Sequence, residues 1–220
     1  MKKKFVISGV FAVLFIWLAV ALKLVDVRAI GPNESSIGLA GLNGAVFGFF
    51  GTHEIWDKIT DVAIVLALAT VVIFAVIGVM QLVQRKKLAK IDKELFALLG
   101  LYVAMAVLYV LFEKVRINFR PVLEADGALE ASFPSTHTLV SCVTTGAMLI
   151  LAKKYIKNRK ACVAVQVTCV LLAILVPCGR IFAGVHWFTD VLGGYLLSGA
   201  LLALFAGAVE ALGAKKKSKS

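Results

Sequence analysis

The sequence predicts an all-α, polytopic membrane protein: one domain of six transmembrane helices, residues 1–220, with both termini cytoplasmic. Three observations predict it. Of the 220 residues, 60% are hydrophobic and only 17% charged, and the mean hydropathy is +0.93; a soluble domain of this length carries more charge. The apolar residues gather into runs long enough to cross a bilayer. The positive charge sits beside those runs. Three, five, five and four of the 24 Lys and Arg, 17 in all, fall at Lys2–Lys4, Arg85–Lys93, Lys153–Lys160 and Lys215–Lys219. That distribution marks cytoplasmic loops facing anionic lipid. It argues against the nucleic-acid partner that a net charge of +11 alone would suggest.

Taken in order, Lys2-Lys3-Lys4 precede a first span from Phe5 to Leu22. The run is long for a signal peptide, and no small-x-small cleavage site follows. Residues 26–58 form a polar, Gly-rich outer loop. Phe47, Phe49, Phe50, Ile55 and Trp56 make its second half amphiphilic, suited to the membrane surface. His53, Glu54 and Asp57 cluster there, but three weak ligands without a fourth make a poor metal site. A solvated interfacial turn is the expectation. The second span runs from about Ile59 to Val83, with Asp61 near enough to its outer end to reach water.

Residues 84–94 are the first cytoplasmic loop. The third span runs from about Leu95 to Phe112 and leads into an outer segment, Glu113 to Thr136. The fourth, His137 to Ala152, returns inside at the third basic cluster. The fifth runs from Ala161 to Cys178 and ends outside; the sixth runs from Asp190 to Leu212, with the tail from Ala214 inside. Gly193, Gly194, Ser198 and Gly199 suit close helix contact in the sixth. Cys142, Cys162, Cys169 and Cys178 lack metal-ligand spacing and are read as packing residues.

This count leaves three polar islands on one side of the membrane: Lys114 to Arg120-Pro121, Pro134-Ser135-Thr136-His137, and Gly179-Arg180 through His186 to Asp190. Each has a plain explanation taken alone. Lys114 and Arg116 serve as snorkelling anchors, Ser135 or Thr136 as a helix cap, and His186 as an interfacial aromatic. Together they compose a phosphate site. Lys114, Arg120 and Arg180 supply cations for phosphate oxygens. Ser135 adds a hydroxyl, and the first amides of the fourth helix add donors at a positive dipole end. If the chain from His186 onward is helical, Asp190 shares its face and fixes its tautomer, leaving a nitrogen to attack phosphorus. His137 is placed to protonate the departing oxygen and later to deprotonate water. The scheme needs no metal and no cofactor.

These residues resemble the three motifs of the type 2 phosphatidic acid phosphatase family, also called the lipid phosphatase and vanadium haloperoxidase superfamily. The family pattern is Lys-x6-Arg-Pro, then Pro-Ser-Gly-His, then Ser-Arg-x5-His-x3-Asp, and the likeness covers roughly residues 60–212. It implies six helices and a metal-independent phosphatase at the outer face. It implies His186 as nucleophile, Asp190 as its partner and His137 as acid. Lys114, Arg120, Ser135, Thr136 and Arg180 would hold phosphate. Three departures stand out. Lys114 is one residue closer to Arg120 than the pattern asks, with Glu113 in the strict position; Thr136 replaces Gly; Gly179 replaces Ser.

The implied substrate is a membrane lipid phosphate in a bacterial inner membrane. Undecaprenyl diphosphate is preferred because short members of the family recycle that carrier; phosphatidylglycerophosphate and phosphatidic acid are the alternatives. A lipid phosphotransferase uses the same intermediate. A haloperoxidase is disfavoured because those relatives are soluble. A transporter or scaffold is disfavoured because polarity sits at one face rather than at the bilayer midplane.

Overall fold

A computed structural model describes residues 2–123 and 127–217; the end of the predicted tail, residues 218–220, lies outside the described residues. The described residues form seven α-helices: α1 (Lys2–Leu24), α2 (Ala40–Phe50), α3 (Glu54–Arg85), α4 (Lys93–Lys114), α5 (Thr136–Tyr155), α6 (Arg159–Ala183) and α7 (Phe188–Lys217). Among the described residues, β-structure is limited to two isolated bridges, Arg28 with Ile37 and Phe119 with Ala131. Every predicted span is helical, and each helix is longer than the apolar run that announced it. The polar ends extend because helix hydrogen bonding does not stop where hydropathy does.

Five helices (α1, α3, α4, α6 and α7) are long and apolar enough to cross a membrane. The remaining predicted span, the fourth (α5), falls outside that group because of its position. It packs against α3, α4, α6 and α7, and Thr138, Ser141, Thr144 and Thr145 are buried. Their hydroxyls lower its hydropathy, yet Thr144 and Thr145 donate to Val140 O (2.8 Å) and Ser141 O (2.6 Å) of the same helix. Such back-bonding hides the polarity. The lipid-facing helices carry the opposite pattern: Val62, Val65, Leu66 and Val72 of α3 are exposed.

Helix α1 lies along α7. Phe11 and Phe5 rest on Gly199 and Gly207, where an added Cβ would come within 3.0 and 3.1 Å of the rings. Ser8 Oγ donates to Ala200 O at 2.8 Å. Lys4 pairs with Glu210 at 3.2 Å, so the start of α1 and the end of α7 share one end of the bundle. Near that end Asp92 gathers Gln81, Arg85, Tyr155 and Lys154 at 2.9–3.2 Å, tying α3, α4 and α5 together. Partial burial pushes its carboxyl up. The bonds from Arg85, Gln81 and Lys154 outweigh that and hold it well below the usual carboxylate range.

The segment read as an interfacial loop is ordered against the opposite end. Helix α2 packs on α6 and α7, with Phe47 5.4 Å from the Trp187 ring. The residue-51–53 turn grips the α6–α7 turn. His53 N donates to Ala183 O at 3.2 Å, and Gly184, at φ 71°, comes so near Gly51 O that a Cβ would sit 2.3 Å from it. Only glycine meets both demands at 184. All four cysteines are free, and three are buried.

Candidate active site

The site is built where α3, α5, α6 and α7 begin or end together. Helix α7 starts at Phe188, two residues before the predicted Asp190, so His186 precedes it and the helical condition for its pairing with Asp190 is not met. Its pairing with Asp190 arises from capping. Asp190 Oδ2 reaches back to accept from Trp187 N at 2.9 Å, as an acidic residue in the third helical position does. The same oxygen then faces His186 Nδ1 at 3.4 Å. Both side chains are buried, and His186 Nε2 has no hydrogen-bond partner among the described residues. Burial lowers the proton affinity of His186 well below the imidazole range. The positive charges of Arg180, Arg120 and His137 push the same way, and the backbone of Ser132 weakly opposes them. The imidazole is therefore neutral near pH 7, with an uncommitted nitrogen.

The second island is locked to the third through backbone. Ser135 N donates to Asp190 O at 2.9 Å. Gly194 permits this approach: a Cβ there would meet Thr138 at 2.7 Å and Ser135 O at 3.1 Å. Ser135 is fully buried and caps α5, its Oγ accepting from Thr138 N at 3.4 Å and Thr138 Oγ1 at 3.1 Å. Its hydroxyl thus has a structural use. Thr136 opens α5 and is half-buried. Gly193 opens a notch for the buried Phe133, whose Cε2 lies 2.3 Å from where a Cβ would stand. That seats the Pro134-Ser135 entry to α5.

The first island divides. Phe119 O accepts from Trp187 Nε1 at 2.7 Å, and Arg120 N donates to Glu130 O at 3.0 Å. Arg120 is thereby held where its charge acts on His186, with its Nη2 3.2 Å from Glu130. Lys114, by contrast, is the exposed last residue of α4 and pairs with nothing among the described residues.

Arg180 lies inside the last turn of α6, which continues past Cys178, the predicted end, to Ala183. Its guanidinium is 3% exposed. Three residues of α3 hold it: Asp57 Oδ1, Thr60 Oγ1 at 3.2 Å and Asp61 Oδ1 at 3.5 Å. The same Asp61 oxygen is 3.1 Å from His137 Nε2. Asp57 therefore belongs to the site, not to a solvated turn. Its neighbours in that cluster do not: Glu54 pairs with Lys58, and His53 Nε2 meets Phe50 O. The face Asp57–Thr60–Asp61 was the part sequence reasoning missed. Its one signal was helical spacing, which placed the three together without saying against what.

A profile of the PAP2 superfamily matches residues 95–213, more than half of the chain. Phosphatidylglycerophosphatase B of Bacillus subtilis (strain 168) is 34% identical over 96 residues, which is 43% of this chain and 46% of that protein. The alignment thus spans about half of that curated relative. The crystal structure described as the first transmembrane PAP2 type phosphatidylglycerolphosphate phosphatase, from Bacillus subtilis, superposes with a TM-score of 0.65. The superposition covers 93% of this chain and 96% of that one at 20% identity, a likeness of fold. From the profile match, and with Arg180, His186 and Asp190 gathered as the third motif requires, the chain belongs to the PAP2 superfamily, the type 2 phosphatidic acid phosphatase family.

Proposed function

We propose that this protein is a membrane lipid phosphatase that works through a phosphohistidine, with a phosphatidylglycerophosphate-type monoester as its substrate. The observation that carries the reading is His186: a buried, neutral imidazole whose Nδ1 faces Asp190 and whose Nε2 has no partner among the described residues. Nε2 attacks phosphorus, the bond to the lipid oxygen breaks, and His137 gives that oxygen its proton. Water then attacks the phosphohistidine, its proton goes to His137, and His186 is regenerated. Arg180 and Arg120 neutralise the phosphoryl oxygens in both steps, supported by Thr136 at the start of α5. Ser135 acts mainly as the cap that aims α5, and Lys114 binds at the periphery. Substrate entry exchanges the bonds of Arg180 to Asp57 and Asp61 for bonds to phosphate.

The substrate preference departs from the undecaprenyl diphosphate expected from the sequence. The named relative and the named structural neighbour both favour phosphatidylglycerophosphate. Six spans, with α5 as the shielded one, best accommodate the chain. The lysine clusters gather at the end where Lys4 meets Glu210, which favours cytoplasmic termini and an outward-facing site. The test is phosphate release by purified protein in detergent from phosphatidylglycerophosphate, phosphatidic acid and undecaprenyl diphosphate, with and without EDTA. The expected result is fastest release from phosphatidylglycerophosphate, unaffected by EDTA. Release restored only by magnesium would reject the metal-free scheme, and preference for the diphosphate would reassign the substrate.

A further inference from the structure

We infer that Asp61 is the positioning residue for the general acid. Its carboxylate accepts the Nε2 proton of His137, so that His137 uses Nδ1 to protonate the leaving oxygen. The inference rests on the reading of His137 as acid given above and adds a residue from outside the three motifs.

Two observations carry it. Asp61 Oδ1 stands 3.1 Å from His137 Nε2, which commits that nitrogen. His137 Nδ1 is buried and has no hydrogen-bond partner among the described residues. The two histidines thus show the same arrangement with opposite ring sense. His186 turns Nδ1 to a carboxylate and keeps Nε2 open; His137 turns Nε2 to a carboxylate and keeps Nδ1 open. A buried nitrogen without a partner is costly, and in a phosphatase site an incoming ester oxygen satisfies it.

The charges around His137 say why such a carboxylate is needed. Arg180 of α6, Arg120 of the α4–α5 segment and Asp61 of α3 act on it, His186 of the α6–α7 turn lies within electrostatic reach, and Asp57 of α3 is bonded to Arg180. Helix α7 brings Asp190, which is engaged by His186. A general acid must hold its proton until the leaving group departs, and an adjacent anion favours the charged imidazole. Asp57 contacts Arg180, whereas Asp61 contacts both Arg180 and His137.

In the first step the His186 Nε2 lone pair forms the P–N bond and the P–O bond to the lipid breaks. The proton on His137 Nδ1 passes to that oxygen, releasing the lipid alcohol. In the second, water forms a P–O bond as P–N breaks, its proton returns to His137 Nδ1, and phosphate leaves. Asp61 stays a carboxylate and Nε2 keeps its proton throughout.

The experiment compares Asp61→Asn, Asp61→Glu, Asp57→Asn and His137→Ala with the wild type. Single-turnover phosphorylation of His186 is followed from pH 5 to 9 on phosphatidylglycerophosphate and on p-nitrophenyl phosphate, whose leaving group needs no acid. Asp61→Asn is expected to lose at least about tenfold more on the lipid than on the aryl ester. Its alkaline limb on the lipid should move down by about one pH unit or more, with partial return in Asp61→Glu. Asp57→Asn should leave that limb in place and alter KM. A limb unmoved in Asp61→Asn, or moved equally in Asp57→Asn, overturns the assignment, as does a gain in substrate affinity alone, which would make Asp61 a plug for the empty anion site. If His137→Ala itself loses equally on both esters, the reading of His137 as acid fails. If His137→Ala is selective and Asp61→Asn is not, only the role of Asp61 fails.

Discussion

Gly179 and Thr60 share one small volume: a Cβ on Gly179 would lie 2.4 Å from Cγ2 of Thr60. The same threonine accepts from Arg180 Nη1 at 3.2 Å and donates to Asp57 O at 2.8 Å. The family pattern has Ser at position 179, so the hydroxyl absent there is supplied beside Arg180 by the neighbouring helix. Restoring the family residue should therefore harm this protein. Gly179→Ser is expected to lower stability by about 1–3 kcal/mol through overpacking and to reduce phosphate release. Adding Thr60→Ser, which keeps the hydroxyl and removes Cγ2, should recover most of both. Thermal unfolding in detergent and phosphate release on the single and double variants check this; a harmless single variant would refute the shared volume.

Removing the proposed nucleophile gives the second prediction. His186→Asn should leave a folded protein, since the amide retains a donor toward Asp190, and should cut turnover by at least ~10³-fold. Acid-labile phosphate on the wild-type protein, trapped during turnover, should be missing from the variant. A variant within a few-fold of wild-type turnover ends the phosphohistidine scheme.

The third prediction concerns pH. Burial and the surrounding cations lower the proton affinity of His186, so the reactive neutral form persists below the ordinary value of about 6.5. Phosphorylation rates, corrected for the ionisation of the phosphate ester, should stay level through pH 6.5 and fall only at lower pH. The sign for stability follows. Below pH 6.5 the unfolded chain binds a proton that the folded site resists, so stability is fully present above 6.5 and declines as pH falls beneath it. His186→Asn should flatten that decline. An acid limb at 6.5 would place His186 in an ordinary environment.

Asn43 gives the fourth. It is fully buried in α2; its Nδ2 donates to Gly38 O and Thr189 Oγ1, both at 2.9 Å, and its Oδ1 accepts from Thr189 N at 3.2 Å. It thereby anchors the residue beside Asp190 at the start of α7. Asn43→Ala leaves those groups unpaired and should cost about 2 kcal/mol, with a fall in kcat larger than any change in KM. Unchanged kcat in a destabilised protein would make α2 a brace for the fold alone.

What the sequence determined by itself was whatever depends on neighbours along the chain. Hydrophobic runs dictate helices because buried or lipid-facing backbone must bond to itself. Basic clusters mark their ends. Asp190 caps its own helix from three residues inside it, so its spacing from His186 was readable, and so was Ser135 as a cap. Even where the helical premise for His186 was incorrect, the contact came about, because a cap and a helix face place the i and i+4 side chains similarly. The tertiary structure decided what depends on which helices touch. Asp57 and Asp61 lie 123 and 119 residues from Arg180, and Asp61 lies 76 from His137. They meet only because Gly179 lets α3 settle against α6 at Thr60. Likewise α5 is polar because four helices shield it, and residues 26–58 fold onto the site because Asn43 and His53 find partners on α7 and α6. Local hydrogen bonding is written in spacing, while close approach between helices depends on the shapes of two surfaces, and a single chain read in order displays only one at a time.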